Sequence, residues 1–176
     1  LSTLSMASKV GANGRIWAFE PASSTVSYLK RSIALNSFNN ITVIQCALSS
    51  RIGTAKLGLN QNSELNMLCH EVGTGLKTEN VALTTLDHYM AQHGCEQIGF
   101  VKLDAEGEET NIISGGTAFF EKESPLIMYE LKHGNEINLP LIRQFDDLGY
   151  RSYRLIPGLN LLAPFKSTET LDPYQL

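Results

Sequence analysis

Phe100-Val-Lys-Leu-Asp-Ala-Glu-Gly-Glu-Glu109 runs a short apolar strand directly into four carboxylates. A strand that is nearly continuous in apolar residues reads as one covered on both faces of a sheet. In open α/β sheets, ligands bind outside the carboxyl ends of the strands. Asp104 therefore stands where a ligand would be met if the strand is central, and Glu106 follows it. Glu108 and Glu109 fall in a first helical turn, where the helix dipole favours acids. That accounts for those two without any function, but not for Asp104 or Glu106. Lys102 lies inside the apolar strand and needs a carboxylate partner if buried.

Two other strands end the same way. Ile16-Trp-Ala-Phe19 is closed by Glu20-Pro21, because proline cannot continue a central ladder. Leu126-Ile-Met-Tyr129 is closed by Glu130. A carboxylate after the second strand of a doubly wound sheet can accept hydrogen bonds from both hydroxyls of a ribose. Glu20 alone reads equally well as a solvated turn residue, and the pattern is shared by nicotinamide and S-adenosylmethionine binders. Acids at three strand ends suggest a polar pocket suited to a cation such as a sulfonium, with solvent-facing strand ends as the plain alternative.

The rest of the chain supplies the rhythm of βαβ units and a parallel sheet. Leu1 to Val10 reads as the end of a helix stopped at Gly11, with Gly14 completing the turn. Ser23 or Ser24 is placed to cap the next helix, whose apolar face holds Val26, Leu29 and Ile33. Ile41 to Leu48 reads as one buried strand. Ser49 to Thr78 is the least regular part, with a short hairpin expected around Thr54 to Leu59. Val81 to Thr84 is a short strand leading into a helix that ends at Gly94. Glu108 to Phe120 is helical in pattern, weakened at Gly115-Gly116. Pro140 opens a helix through Leu148, with Gly149 as its stop. Tyr150 to Ile156 and Leu159 to Ala163, joined by Pro157-Gly158, read as a closing antiparallel pair.

Composition narrows the function. The chain has 176 residues, 18 acidic and 14 basic, and 43% are hydrophobic. That length reads as one domain, residues 1–176. No basic run appears, which argues against nucleic acid as a partner. Cys46, Cys69 and Cys95 form no CxxC pair, and their odd number closes no disulfide framework. The four histidines show no zinc spacing. No stretch approaches the ~20 apolar residues of a membrane span, and no basic leader is present. A cytoplasmic enzyme is the expectation.

Taken together, these pieces resemble the FkbM family of S-adenosylmethionine-dependent methyltransferases. The matching segments are Gly14 to Pro21, Asn36, Cys46-Ala-Leu-Ser49, Thr85-Leu-Asp87, Phe100 to Glu109, Glu130 and Leu148-Gly-Tyr150. The likeness runs from about Leu1 to Ala163. It implies a doubly wound, mostly parallel Rossmann-like sheet with an antiparallel C-terminal strand pair. It also implies methyl transfer to a hydroxyl oxygen of a small molecule or glycan. By the resemblance, Glu20 and Pro21 hold the cofactor ribose. Cys46, Ala47 and Leu48 line the adenine site, and Asp104 faces the methionine end or the acceptor. Asp104, Glu106 and Glu108 become the catalytic candidates, and Lys102 and Glu130 the acceptor contacts. The family pattern carries a histidine where Glu108 stands, so any base role there either passes to a carboxylate or is lost. The family also places a strand and a D-x-G-A-N-x-G loop before its first helix. This chain starts at or after that helix, so the first strand is expected to be missing. Gly11-Ala-Asn-Gly14 resembles the loop but precedes the strand ending in Glu20, and reads as a turn. Two rival readings remain: an NAD-dependent oxidoreductase, and a non-catalytic remnant of the methyltransferase fold.

Overall fold

In the computed structural model, residues 2–60, 66–69, 77–94, 97–130, 132–133, 136–156, 158–159 and 161–165 are described. The chain divides into two compact units, Leu1–Thr84 and Thr85–Leu176.

The first unit opens with helix α1 (Ser2–Val10), which ends at Gly11 with φ +70°. A glycine tolerates that left-handed conformation at no steric cost. The amide of Asn40 donates to the carbonyls of Ala7 and Gly11 at 3.2 and 3.1 Å, satisfying groups a helix end leaves unpaired. Strand β1 (Ile16–Phe19) then pairs in parallel with β2 (Ile41–Ile44), Ile16 opposite Ile41 and Phe19 opposite Ile44. The crossover is helix α2 (Ser23–Leu35), as a parallel pair requires. Of its expected apolar face, Val26 is buried and Leu29 and Ile33 are half-buried.

The expected strand from Ile41 to Leu48 is two strands. The ladder to β1 stops at Ile44, and the amide of Cys46 turns back to the carbonyl of Ile44 at 3.1 Å. Beyond that turn, β3 (Ala47–Leu48) leaves β1 for a different partner. Strands β4 (Gly53–Leu59), β5 (Met67–Cys69) and β6 (Lys77–Thr84) follow. They join β3 in a four-stranded sheet of order β3-β6-β4-β5. β3 runs parallel to β6, and β4 runs antiparallel to both β5 and β6. The stretch that looks least regular in sequence therefore holds the longest ladder, from Gly53 opposite Leu83 to Leu59 opposite Lys77. Its Gly, Asn and Thr content hides a strand because the apolar residues are few. Leu57 and Val81 are buried, and they pack with Ala22 just ahead of α2.

The second unit begins with helix α3 (Leu86–His93). Thr85 caps it by accepting the His88 amide at 3.1 Å, and Gly94 ends it at φ +60°. Strand β7 (Phe100–Leu103) leads through α4 (Glu109–Ser114) and α5 (Thr117–Glu123) to the parallel strand β8 (Leu126–Tyr129). The helical stretch breaks at Gly115-Gly116, where the sequence is weak. A Cβ on Gly116 would lie 3.0 Å from Leu86 and 3.1 Å from Phe120, so the break is also a close approach. Two-residue strands β9 (Lys132–His133) and β10 (Glu136–Ile137) pair antiparallel. Helix α6 (Leu139–Asp147) is capped by Asn138 and buries Leu141, Ile142 and Phe145 on one face. Strands β11 (Tyr153–Ile156) and β12 (Leu161–Pro164) form the antiparallel pair expected at the end, though Pro157 of its turn lies outside the described residues.

The architecture is mixed α/β. Among the described residues, parallel pairing occurs at β1–β2 and β3–β6 in the first unit and at β7–β8 in the second. No described helix is long and apolar enough to cross a membrane.

The turn from α1 into β1 gives a direct test. A Cβ on Gly14 would lie 2.5 Å from Cβ of Val10 and 2.8 Å from its carbonyl oxygen. Gly14→Ala is expected to destabilise the chain by about 1–3 kcal/mol, through overpacking against backbone that cannot yield. Thermal and urea unfolding of the variant measure this.

Candidate functional site

Glu20 is fixed twice. Its own amide donates to the Ile44 carbonyl at 3.0 Å, which extends the β1–β2 ladder by one bond. Its side-chain Oε1 accepts the Ala22 amide at 2.8 Å. The carboxyl is half-buried, and burial raises its pKa above the usual glutamate value. The Ala22 amide pulls the pKa down, and the nearby charge of Glu79 pushes it up again. Among the described residues, Oε2 meets no partner. One carboxylate oxygen is thus anchored and one is presented, at a strand end followed by Pro21.

Neither Ser23 nor Ser24 caps α2. The N-cap position is Ala22, which offers no side-chain acceptor. The first amides are met instead by Glu20 and by Glu79 of β6. Glu79 accepts the Ser23 amide on both oxygens at 3.3 Å, and the Ser23 hydroxyl at 3.0 Å. Nothing local in the sequence announces Glu79, which lies 56 residues away.

Cys46 and Ala47 are buried, and Leu48 is half-buried, at the break between β2 and β3. Burial raises the pKa of the Cys46 thiol, which keeps it protonated. It behaves there as a small apolar group.

In the second unit, Asp104 and Glu130 leave the same end of one ladder. Each follows a residue of the registered pair Leu103 and Tyr129, and each is exposed. Lys102 forms an ion pair with Asp104, the partner its place in an apolar strand called for. The loop after Asp104 is a tight turn. The Glu108 amide donates to the Ala105 carbonyl at 3.1 Å, with Glu106 at φ +49° and Gly107 at φ +100°. A non-glycine residue in that region costs roughly 1–2 kcal/mol, and such strain recurs where side chains must be aimed.

Glu108 and Glu109 are both buried. Asn111 donates to Glu108 at 3.0 Å. Glu109 folds back to accept the amides of Ala105 at 2.8 Å and Gly107 at 3.1 Å. Its carboxylate therefore holds the Asp104–Gly107 turn closed, a role more specific than dipole compensation. Asp87 works similarly: it accepts the amides of Phe119 at 2.8 Å and Ala118 at 3.2 Å, opening α5 where Gly116 provides no cap.

The structure thus places Glu20, Pro21, Cys46, Ala47 and Leu48 in the first unit, and Lys102, Asp104, Glu106, Glu108 and Glu130 in the second. A cavity of about 330 Å³ in the second unit gathers around Pro125, Tyr129, Phe145, Tyr150 and Ser152 and contains none of these residues. Among the described residues, no three His, Cys, Asp or Glu side chains converge as metal ligands.

The family profile described as the methyltransferase FkbM domain matches residues 1–152. The chain belongs to that family. Its fold is similar to the crystal structure of methyltransferase FkbM from Methylobacillus flagellatus KT, with a TM-score of 0.52 and 17% identity. The likeness covers 82% of this chain and 32% of that one, so the chain spans about a third of the solved protein. No curated protein matches the chain.

Glu109 supplies the test of the acidic turn. Glu109→Ala leaves the Ala105 and Gly107 amides without their acceptor. A loss of about 2–3 kcal/mol is expected, from stranding partly buried donors. Glu109→Gln, which keeps an acceptor oxygen, is expected to lose less. Urea unfolding of the two variants side by side reads the difference.

Proposed function

We propose that this chain is the S-adenosylmethionine-binding part of a methyltransferase that modifies a hydroxyl oxygen of a small molecule or glycan. Family membership over residues 1–152 supports methyl transfer. The observation that carries the cofactor assignment is the carboxylate of Glu20, anchored through Oε1 at the end of β1. A half-buried carboxylate at a strand end suits a ribose diol, which offers two O–H donors and needs acceptors. The small, apolar Cys46-Ala47-Leu48 segment suits the flat face of an adenine. These residues fit the cofactor.

When bound, S-adenosylmethionine supplies a sulfonium methyl that an acceptor oxygen can attack in line. The chain's own residues bind and orient. Glu20 holds the ribose and so fixes the depth of the nucleoside. Asp104, ion-paired with Lys102, and Glu130 offer negative charge at the end of the β7–β8 ladder, which favours a cation. In this reading Asp104 or Glu106 takes the hydroxyl proton. Glu108 is buried and bonded to Asn111, so its contribution is to hold that loop in shape. Positioning alone accounts for much of the rate in a displacement of this kind.

Titration calorimetry with S-adenosylmethionine and, separately, NAD tests the reading. S-adenosylmethionine is expected to bind and NAD to give no heat; the reverse would sink the proposal in favour of an oxidoreductase. Glu20→Ala removes the charge-assisted hydrogen bonding to the diol; a single such bond is worth about 1.5–3 kcal/mol, so affinity is expected to fall by at least roughly 10–100-fold. The pH dependence has a definite sign. Ribose hydroxyls are accepted by the ionised form, so affinity falls as pH drops through the Glu20 pKa. Because that pKa is raised, mainly by burial, the fall begins at a higher pH than for an ordinary glutamate.

A further inference from the structure

Two carboxylates converge on the start of α2 and neither belongs to the helix. Glu20 takes the Ala22 amide at 2.8 Å. Glu79, reaching from β6, takes the Ser23 amide at 3.3 Å and the Ser23 hydroxyl at 3.0 Å. Alanine at an N-cap satisfies none of the orphan amides, so α2 begins where these acids allow it to begin. Ala22 sits between them, fully buried against Leu57 and Val81. The sheet that carries Glu79 is thus packed beneath the residue that anchors Glu20.

We propose that Glu79 is a positioning residue for Glu20: by holding Ser23 it fixes the first turn of α2, and through Ala22 it sets where the Glu20 carboxylate is presented. The proposal rests on the reading of Glu20 as the ribose-holding group. Three observations support it. The contacts form one chain, Glu79 to Ser23 to Ala22 to Glu20, with no long side chain in the middle to absorb movement. The helix N-terminus carries partial positive charge, which offsets the repulsion of two neighbouring acids. The same repulsion is felt at Glu20, whose pKa is raised first by burial and then by the Glu79 charge. Glu79 therefore acts on Glu20 in two ways, one geometric and one electrostatic, and the two are separable by substitution.

Glu79→Gln keeps an acceptor for Ser23 and removes the charge. Glu79→Ala removes both. Carboxyl-detected NMR follows the Glu20 titration in the chain without any cofactor, and calorimetry with S-adenosylhomocysteine follows binding. In Glu79→Gln the Glu20 carboxyl is expected to titrate at lower pH, since a neighbouring negative charge is gone. Its affinity at neutral pH should stay within about twofold of the parent, whereas Glu79→Ala should lose about tenfold through a displaced Glu20. Ser23→Ala is the second variant should Glu79→Ala fail to fold; it removes only the hydroxyl contact and is expected to lose less than Glu79→Ala. A Glu20 titration unmoved in Glu79→Gln, or binding unmoved in a folded Glu79→Ala, would overturn the proposal. A parent chain that binds no S-adenosylhomocysteine, with the Glu20 titration still shifted by Glu79→Gln, would overturn the ribose reading instead and uphold the link between the two acids.

Discussion

Three helices that follow a turn in this chain start without a capping side chain at their own N-cap. Ala22, Glu108 and Gly116 provide no side-chain cap bond for α2, α4 and α5. Exposed amides at a helix start must be satisfied by water or by another acceptor. Here carboxylates supply much of what is missing. Glu20 and Glu79 serve α2, Glu109 serves the turn into α4, and Asp87 serves α5. The helix crossovers of the β1–β2 and β7–β8 pairs are positioned in this way. The acids are therefore part of the frame before they are part of any chemistry.

This changes how the acid-rich turn is weighed. Four carboxylates in six residues look like one functional cluster when read along the chain. In space they separate by burial. Glu108 and Glu109 point into the fold and are engaged there, while Asp104 is exposed and paired with Lys102. Glu106 owes its direction to a left-handed backbone that glycine would occupy more easily. The turn thus uses Glu109 to hold its shape, ties Glu108 to α4 through Asn111, and leaves Asp104 exposed beside Lys102.

What could be read from the sequence follows the range of the interaction involved. The strand ends at Glu20, Asp104 and Glu130, the stop at Gly94, the break at Gly115-Gly116 and the closing pair at β11–β12 depend on neighbouring residues, and they were visible. So was the need of Lys102 for a carboxylate, because a cation in an apolar strand demands a counter-charge, though which of the nearby acids supplies it was not. The split of Ile41–Leu48 was hidden, since apolar content is the same on both sides of Cys46 and only the change of partner marks the break. The four-stranded sheet was hidden because β4 and β6 meet across a sparse and polar stretch. Glu79 was hidden for the same reason: a cap supplied from 56 residues away leaves no local pattern. Serine at the start of α2 suggested a self-sufficient cap, but Ser23 is the donor in that contact, not the acceptor.

The burial of Glu20 has two opposing consequences for the proposed role. Desolvation disfavours the ionised form, which is the form that accepts from a diol. The same low-dielectric setting strengthens each hydrogen bond the ionised form makes. The Ala22 amide offsets part of the burial cost of ionisation, and it can do so only because α2 begins at that residue. Moving the helix start by one position would leave a half-buried carboxylate with a like charge nearby and no donor to oppose it. Protonation would then become easier, and a protonated carboxyl has one fewer acceptor site for a vicinal diol. The placement of a helix start and the acid strength of a binding residue are in this way the same structural choice.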